Sequence, residues 1–370
     1  MPIRLLYAPV LVAGVLFGVG AAHARGVDSD IVYTETNDAQ GNQLVVLQAR
    51  GGELRPLWRV PTGGRGTGAG LGSQGAVTLS DDRQWLVAVN AGSDEVSLFF
   101  VGWSGPPILL DVAPSGGTSP LSVAIRQGLV YVLNGDNVTG LEIGWHGGLV
   151  PLGATQPLSA PNAGPAQVSF TTDGDALIVT EKNTNCVDLF PLDDRGRAGA
   201  VTCHPSAGQT PFGFALTAAH DRRGDRHDVL VVSEAFGGAA GASAASSYLV
   251  DDHDDELDAV TRSAPTTQTA ACWVAITPDG KLAYAANTGS GTVTGYRIGR
   301  GGALARVDGG ATGTTGGAAI DVAVSPDGDT LYALASGINQ ITAFHVRADG
   351  SLVRLGASAA LGSVAGLAVR

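Results

Sequence analysis

A short apolar segment recurs seven times along the 370 residues of this chain. The segments read GAVTLS, LSVAIR, AQVSFT, FGFALT, CWVAIT, IDVAVS and AGLAVR, and their third residues are Val77, Val123, Val168, Phe214, Val274, Val322 and Leu367. The successive intervals are 46, 45, 46, 60, 48 and 45 residues. Self-similarity at this period, with alternating strands and no helical periodicity, is typical of a β-propeller made of four-stranded blades. The pattern predicts an all-β, seven-bladed propeller.

One complete repeat can be followed through residues 318–362. IDVAVS is predicted to be the innermost strand, and SPDG a tight turn in which Asp and Gly accept positive φ. TLYALAS, ITAFHV and SLVRLG then supply the second, third and outermost strands. Each strand is five to seven residues long, alternates, and is rich in β-branched and aromatic residues.

The two ends of the chain carry incomplete repeats. Residues 31–60 contain three strands, IVYTET, QLVVLQ and LRPLWRV, without the usual inner opening, whereas residues 364–370 contain an inner opening with nothing after it. Pairing these pieces completes one blade and closes the ring, which removes exposed strand edges. An open solenoid would leave both half-blades unexplained.

The N-terminus has the pattern of an export signal. Arg4 precedes a long apolar run, and Ala22-His23-Ala24 has the small-x-small form of a cleavage site. We therefore expect residues 1–24 to be a signal peptide and residues 25–370 a single propeller domain, secreted or periplasmic. The alternative is a retained anchor helix, because the apolar run approaches spanning length.

The formal charge of −12 limits the possible partners. An acidic surface disfavours nucleic acid and anionic membranes, and no basic and aromatic stripe occurs. We expect a monomer that binds a small polar molecule or a partner protein, uses no cofactor, and has no stable membrane insertion after signal cleavage. The cysteines lack the Cys/His spacing of a zinc site, so no metal is expected.

Two of the three cysteines fall in the same predicted blade. Cys186 opens its third strand and Cys203 lies in its fourth, across the turn DDRGRAG. This placement allows a disulfide in an oxidising compartment, with two small buried side chains as the alternative. Cys272 begins an inner strand elsewhere and is expected to be a packed thiol.

In this blade plan two kinds of loop meet on one face of the ring, around the axial channel. The loops between second and third strands carry Asn37, Asn90, Asn134, Glu181, Glu234 and Asn287. The connections into the inner strands carry Gln74, Ser119, Gln167, Thr210, Thr269 and Ala319. Such amides, hydroxyls and carboxylates can hydrogen-bond a sugar-like ligand, although Asn is also a common turn residue. Glu181 and Glu234 are less easily explained by turn geometry and are the catalytic candidates.

The fifth repeat is longer than the others, partly because AFGGAAGASAASS (235–247) extends a loop beside the predicted site. Small residues at a channel mouth can form a lid, while a tolerated insertion is the competing interpretation. Phe212, Phe236 and Trp273 are candidate aromatic walls there. Arg65, in a connection between blades, lies within reach of the channel in this plan.

The repeats resemble a known family. SPDGDTLYALASGINQITAFHVRADGSLVRLG and TPDGKLAYAANTGSGTVTGYRIGRGGALARV look like blades of the lactonase-like seven-bladed propellers, which include propeller-type 6-phosphogluconolactonase and carboxymuconate cyclase. The resemblance spans residues 31–370. SQGAVTLSDD, GPAQVSFTTDG, TPFGFAL, SEAFGG and QTAACWVAITPDG are similar to a secreted bacterial branch of that group.

The resemblance implies His and Arg at several inner-strand openings of the catalytic relatives. The corresponding positions here are Gln167, Phe212-Gly213, Cys272-Trp273 and Ile320-Asp321. None of these positions carries His or Arg. Lactone hydrolysis needs a base and an oxyanion-stabilising group, and the cationic group expected at these openings is missing, so the sequence favours a binding module. The alternatives are a lactone or ester hydrolase that uses Glu181 or Glu234, and a redox enzyme with a quinone cofactor.

Overall fold

The computed structural model describes residues 29–220, 226–251, 256–307 and 309–370. Over these ranges the chain forms seven antiparallel four-stranded sheets, with one short additional strand beside the sixth. The fold class expected from the repeats, a seven-bladed propeller, is confirmed. The expected signal peptide, residues 1–24, lies outside the described residues.

The strands follow one another from the inside of each blade to its outside. The first three are β1 (Asp30–Glu35), β2 (Gln43–Arg50) and β3 (Glu53–Pro61). Blade 2 has β4 (Val77–Leu79), β5 (Trp85–Asn90), β6 (Glu95–Phe100) and β7 (Ile108–Pro114). Blade 3 has β8 (Ser122–Arg126), β9 (Leu129–Leu133), β10 (Asn137–Ile143) and β11 (Leu149–Pro157). Blade 4 has β12 (Pro165–Phe170), β13 (Ala176–Glu181), β14 (Cys186–Pro191) and β15 (Thr202–Pro205).

The second half of the ring repeats this order. Blade 5 has β16 (Pro211–His220), β17 (Arg226–Glu234), β18 (Ala244–Asp251) and β19 (Glu256–Pro265). Blade 6 has β20 (Ala271–Ile276), β21 (Leu282–Asn287), β22 (Thr292–Ile298) and β23 (Leu304–Arg306), with β24 (Gly313–Thr314) beside β22. Blade 7 has β25 (Ala318–Val324), β26 (Thr330–Ser336), β27 (Gln340–Val346) and β28 (Leu352–Ala357). The last strand is β29 (Ala365–Val369).

Blade 1 joins the two ends of the chain, as predicted. β29 pairs antiparallel with β1, in a register that sets Val369 opposite Val32 and Ala368 opposite Tyr33. Arg370 continues the ladder, since its N–H and C=O groups bond to Ile31 at 2.9 and 3.0 Å. Closure leaves no inner or second strand without a partner, which protects the ring from edge-to-edge association.

The core lies between neighbouring blades, where alternating side chains of the three inner strands interdigitate. Three fully buried tyrosines also connect adjacent blades, because each hydroxyl donates to a backbone carbonyl of a neighbouring blade. Tyr131 bonds to Gly196 at 2.6 Å, Tyr284 to Gly350 at 3.0 Å and Tyr296 to Ala264 at 2.9 Å. Burying the ring while satisfying the hydroxyl makes tyrosine effective at such a junction.

The ring has two different ends. The loop face carries the connections between second and third strands and those that enter each inner strand. The turn face carries the two tight turns of each blade, typified by Ser325–Gly328, where Ser325 Oγ bonds to Asp327 at 2.5 Å and Gly328 has φ +81°. The helices described here are single 3₁₀ turns, Phe236–Gly238 and Arg300–Gly302, and neither is long or apolar enough to span a membrane.

Candidate functional site on the loop face

The four asparagines of the second-to-third-strand loops make local contacts. Asn90 donates to Ser97 Oγ at 2.7 Å and accepts from the Thr62 hydroxyl at 2.6 Å. The other three behave alike: Asn37 bonds to Thr67, Asn134 to Asn137, and Asn287 to Thr292 and Thr294. All four are buried. In this structure they fix the loops of their own blades and the connections beside them.

Glu181 and Glu234 occupy the same position, the last residue of a second strand, and both are fully buried. Glu181 accepts from the Ser159 N–H at 2.9 Å, the Ser159 hydroxyl at 2.5 Å and the Thr184 hydroxyl at 2.6 Å. Glu234 accepts from the hydroxyls of Ser246 and Ser263. A general base must reach the proton that it removes. In the structure, donors from the same blade and its connections occupy these carboxylates.

A third glutamate completes this set and was missed from the sequence. Glu35 ends β1 at the corresponding place in blade 1 and is fully buried, where the Asn42 amide donates to it at 3.0 Å. Burial raises its pKa well above the usual carboxyl range. The signal was present in the sequence, because IVYTE ends like LIVTE in blade 4 and VVSE in blade 5.

A buried acid lies beside Glu181. Asp188 on β14 is fully buried, and burial together with the neighbouring Glu181 carboxylate raises its pKa to about 9. Burial and the nearby negative charge of Glu181 both disfavour the ionised form of this carboxyl. At neutral pH Asp188 is therefore a neutral acid, buried beside Glu181.

Cys186 and Cys203 form a disulfide in the structure, with Cα atoms 5.6 Å apart. The strand register sets Cys203 opposite Asp188, so the bridge crosses the β14–β15 pair diagonally. With Asp188, these cysteines form a group of possible metal ligands within the described ranges, but both sulfurs are already bonded to each other.

The axial channel is closed at the loop face by a contact across the ring. Gln74, at the entrance to blade 2, donates from Nε2 to Val274 O at 2.9 Å and accepts from Val274 N at 3.1 Å, on the inner strand of blade 6. Asp321 of blade 7 is completely buried beside Gln74, and this burial raises its pKa well above the usual carboxyl range. Gln167 makes the same double contact with its neighbour Phe214, at 3.0 and 2.7 Å.

Outside this plug, Lys182, Phe212 and Trp273 come together at the channel mouth. The Lys182 ammonium lies 4.6 Å from the centroid of the Phe212 ring and donates to Gly72 O at 2.8 Å. The Phe212 and Trp273 rings meet edge to face with centroids 4.8 Å apart, and Trp273 Nε1 donates to Ala319 O at 3.1 Å. At the loop-face mouth the Lys182 ammonium therefore lies over Phe212, and the buried Trp273 supports that ring from its edge.

Burial changes the titration of two groups at this mouth. It lowers the pKa of Lys182 to about 8, because the charged amine loses part of its hydration. Burial also raises the pKa of the Cys272 thiol to about 11, so that thiol stays protonated at neutral pH. Sequence reasoning missed Lys182, although it is one of only two lysines in the chain and stands next to Glu181.

The remaining candidates lie around this mouth. Arg65 is exposed and reaches blade 2 through its backbone, whose N–H donates to Ser93 Oγ at 3.0 Å. The long loop of blade 5 is fixed at two points, since Gly237 N donates to Thr210 Oγ1 at 3.1 Å and Gly241 N to Thr269 Oγ1 at 3.0 Å. Its last residues belong to β18, so the segment that is free to act as a lid is shorter than the sequence predicts.

The open part of the channel lies at the other end. A cavity of about 340 Å³ opens on the turn face between the inner strands of blades 2 to 5. Polar groups on its wall include Thr78, Arg126, Ser169 and Thr172. Arg126 Nη1 lies 3.6 Å from Asp81 Oδ2, which partly neutralises this mouth.

Several solved structures share this architecture. A candidate 6-phosphogluconolactonase from Bacteroides fragilis is 18% identical, with a TM-score of 0.70 over 93% of this chain and 99% of that one. A similar protein from Bacteroides uniformis is 16% identical, with a TM-score of 0.72 over 93% and 100% of the two chains. The periplasmic gluconolactonase of Pseudomonas aeruginosa is 15% identical, with a TM-score of 0.69 over 92% and 99%.

The chain has the fold of the lactonase-like seven-bladed propellers. The resemblance noted in the repeats is confirmed at that level. No protein-family model matches the sequence, and no curated protein matches it. At these identities the likeness of this lactonase-like propeller to its structural neighbours concerns the fold alone.

Proposed function

We propose that this lactonase-like propeller is a binding protein, which holds a small sugar- or lactone-like molecule at the loop-face mouth. The ligand presents a carbonyl or carboxylate oxygen to the Lys182 ammonium and packs its apolar edge against Phe212. The observation that carries the proposal is the position of this amine, over an aromatic ring and partly removed from water. Hydrogen bonds from a charged donor are stronger in such a setting than in bulk solvent.

The scarcity of lysine in this acidic chain supports the choice of ligand. Lys182 is one of two lysines in a protein of formal charge −12, and Lys281 lies in a turn on the opposite face, paired with Asp279 at 2.9 Å. An ammonium group has three donors, of which one goes to Gly72 O. The others are suited to oxygen acceptors on a ligand.

Binding is favoured over hydrolysis by the state of the two glutamates. Both are buried beneath the loops and accept hydrogen bonds from serine and threonine hydroxyls. A hydrolase that uses Glu181 or Glu234 as base is the second candidate, and the names of the structural neighbours favour it. It would need a movement that brings water to one of those carboxylates.

The proposal includes an extracytoplasmic location for the mature protein. The cleavage pattern at Ala24 supports export, and the Cys186–Cys203 disulfide is of a kind that persists in oxidising compartments. One of the structural neighbours is a periplasmic protein. We propose that the mature protein works as a monomer.

Titration calorimetry with aldonolactones and the corresponding sugar acids tests the ligand site. Lys182→Met removes the amine and keeps an apolar stem, so we expect affinity to fall about tenfold or more, the value of one charged hydrogen bond. Lys281→Met is the matched control and should bind like the wild type. Because Lys182 loses its charge near pH 8, wild-type affinity for a carboxylate should decrease as the pH rises through that value.

A pH-stat assay on the same lactones decides between binding and turnover. Proton release that disappears in Glu181→Gln or Glu234→Gln, with the fold retained, would replace the binding proposal by the hydrolase. Equal affinities for wild type and Lys182→Met would remove the proposed contact. The expected result is calorimetric binding without proton release. The affinity should fall in Lys182→Met and stay at the wild-type value in Lys281→Met.

A further inference from the structure

An aromatic cleft on the turn face lies where the ring is closed. It has a volume of about 610 Å³ and separates blade 1 from blade 2. Apolar groups on its wall come from Tyr33, Leu57, Trp58 and Trp103, and polar groups from Gln48, Asp81, Asp82, Arg83 and Arg370. We call this cleft the seam groove. It is on the opposite end of the propeller from Lys182, so it is independent of the function proposed above.

The exposed ring in the seam groove is held in place from behind. Trp103 is 90% exposed, yet the guanidinium of Arg370 lies 4.4 Å from its ring centroid. Arg370 is itself fixed, since Nη1 donates to Val101 O at 3.1 Å and to Gly102 O at 2.7 Å. A cation on one face of an indole stabilises its orientation and leaves the other face for a ligand. A preorganised aromatic platform of this kind lowers the entropy lost on binding.

One of the groove residues has a strained backbone. Arg83 has φ +57°, in the turn of blade 2 where blades 4, 6 and 7 have Gly174, Gly280 and Gly328. An L-residue is strained in this region of φ, and glycine is not. Arg83 therefore keeps an unfavourable backbone conformation while its side chain lines the groove.

The mixture of groups defines the class of ligand. Indole rings accept the apolar C–H face of a pyranose, while carboxylate, amide and guanidinium groups hydrogen-bond its hydroxyls. A lipid surface fits less well, because Asp81 and Asp82 flank the rings and the whole chain is acidic. A cationic ligand would compete with Arg370, which already occupies one face of Trp103.

We propose that the seam groove is a saccharide-binding site, in which a sugar ring stacks on Trp103 and its hydroxyls bond to Arg83, Gln48 and Asp81. The volume lies within the range of sites for small organic ligands. The site needs the closed ring, because Arg370 and Tyr33 come from opposite ends of the chain.

A matched pair of tryptophans makes the proposal testable. Trp145 is 98% exposed in the corresponding turn of blade 3, outside the groove. The probes are chitin and cellulose in pull-down assays, followed by calorimetry with N-acetylglucosamine, cello- and malto-oligosaccharides. We expect the wild-type chain to bind at least one of these probes, Trp103→Ala to lose about tenfold in affinity, and Trp145→Ala to stay within about twofold.

Arg83→Gly is a second test variant, chosen because it should remain folded. Glycine suits this φ, so the variant should keep or raise the melting temperature while its saccharide affinity falls several-fold. The proposal is overturned if the wild type binds none of the probes, or if Trp103→Ala and Trp145→Ala weaken binding equally, as non-specific aromatic adhesion would. Stronger retention on zwitterionic lipid vesicles than on any saccharide, lost in Trp103→Ala, would assign the groove to membranes instead.

Discussion

The two faces of this propeller keep their chemical groups in opposite conditions. On the loop face the glutamates, the asparagines and Asp188 are buried, and Gln74 closes the channel. The glutamates and asparagines bond to their own blades and to the connections beside them. On the turn face the channel is open, and two tryptophans are almost fully exposed. The comparison teaches that polar residues in loops beside a channel can stabilise the fold. An exposed aromatic residue in a tight turn, by contrast, is not needed for that stability.

The largest expected effect tests the closed end of the channel. Gln74→Ala leaves the Val274 N–H and C=O groups buried without partners, so we expect the free energy of unfolding to fall by about 3–4 kcal/mol. Gln167→Ala, the matched change between neighbouring blades, should lose about 1–2 kcal/mol. Urea unfolding measures both. Equal losses would mean that the cross-axis contact adds nothing to a neighbour contact.

The disulfide on the loop-face side of blade 4 should have the next largest effect. It closes a loop with a sequence separation of 17 residues, for which the chain-entropy model gives about 3 kcal/mol. The double variant Cys186→Ser, Cys203→Ser should therefore unfold at lower urea. Reductant should destabilise the wild type and leave the variant unchanged. An equal response of both proteins to reductant would contradict this assignment.

The pH dependence of the unfolding free energy should have opposite signs for a buried acid on the loop face and an exposed acid on the turn face. Asp188 keeps its proton up to about pH 9 in the fold, whereas an unfolded carboxyl loses it near pH 4. Between these values the folded state binds more protons, so its stability falls as the pH rises, by at most about 1.4 kcal/mol per pH unit. Asp188→Asn has a similar size and cannot ionise, so it should flatten the slope of unfolding free energy against pH.

The control for this slope lies on the turn face. Asp193 is exposed and paired with Arg197 at 2.7 Å, which lowers its pKa to about 2. Its contribution has the opposite sign, because it is present above pH 4 and lost as the pH falls toward 2. Asp193→Asn should leave the slope between pH 4 and 9 unchanged. An unaltered slope in Asp188→Asn would show that another buried acid causes it.

The smallest expected effect is on the backbone of the turn face. Arg83→Gly relieves a left-handed residue and should raise the free energy of unfolding by up to about 1 kcal/mol. Gly280→Ala, the reverse change in blade 6, should lower it by about 1–2 kcal/mol, because the new Cβ would approach Thr217 Oγ1 to 2.5 Å at φ +70°. Thermal and urea unfolding compare them. A destabilised Arg83→Gly would show that the arginine supports the turn.

Much of the architecture follows from short-range patterns in the sequence. The seven inner openings, the alternation of TLYALAS and ITAFHV, and the SPDG turns set strand number and order. The half-repeats at the ends predict the pairing of β29 with β1, which the structure confirms. Such features are predictable because side-chain alternation and turn conformation depend on residues close together in the chain.

The state of each candidate residue was decided by tertiary contacts. Glu181 and its partner Ser159 are separated by 22 residues in the chain. The separation is 200 residues for Gln74 and Val274, and 268 residues for Arg370 and Gly102. No local pattern predicts that Gln74 crosses the axis or that Arg370 supports Trp103, because these contacts exist only once the ring is closed. The sequence by itself determined the number and order of the blades, and only ring closure decided which end of the channel stays open.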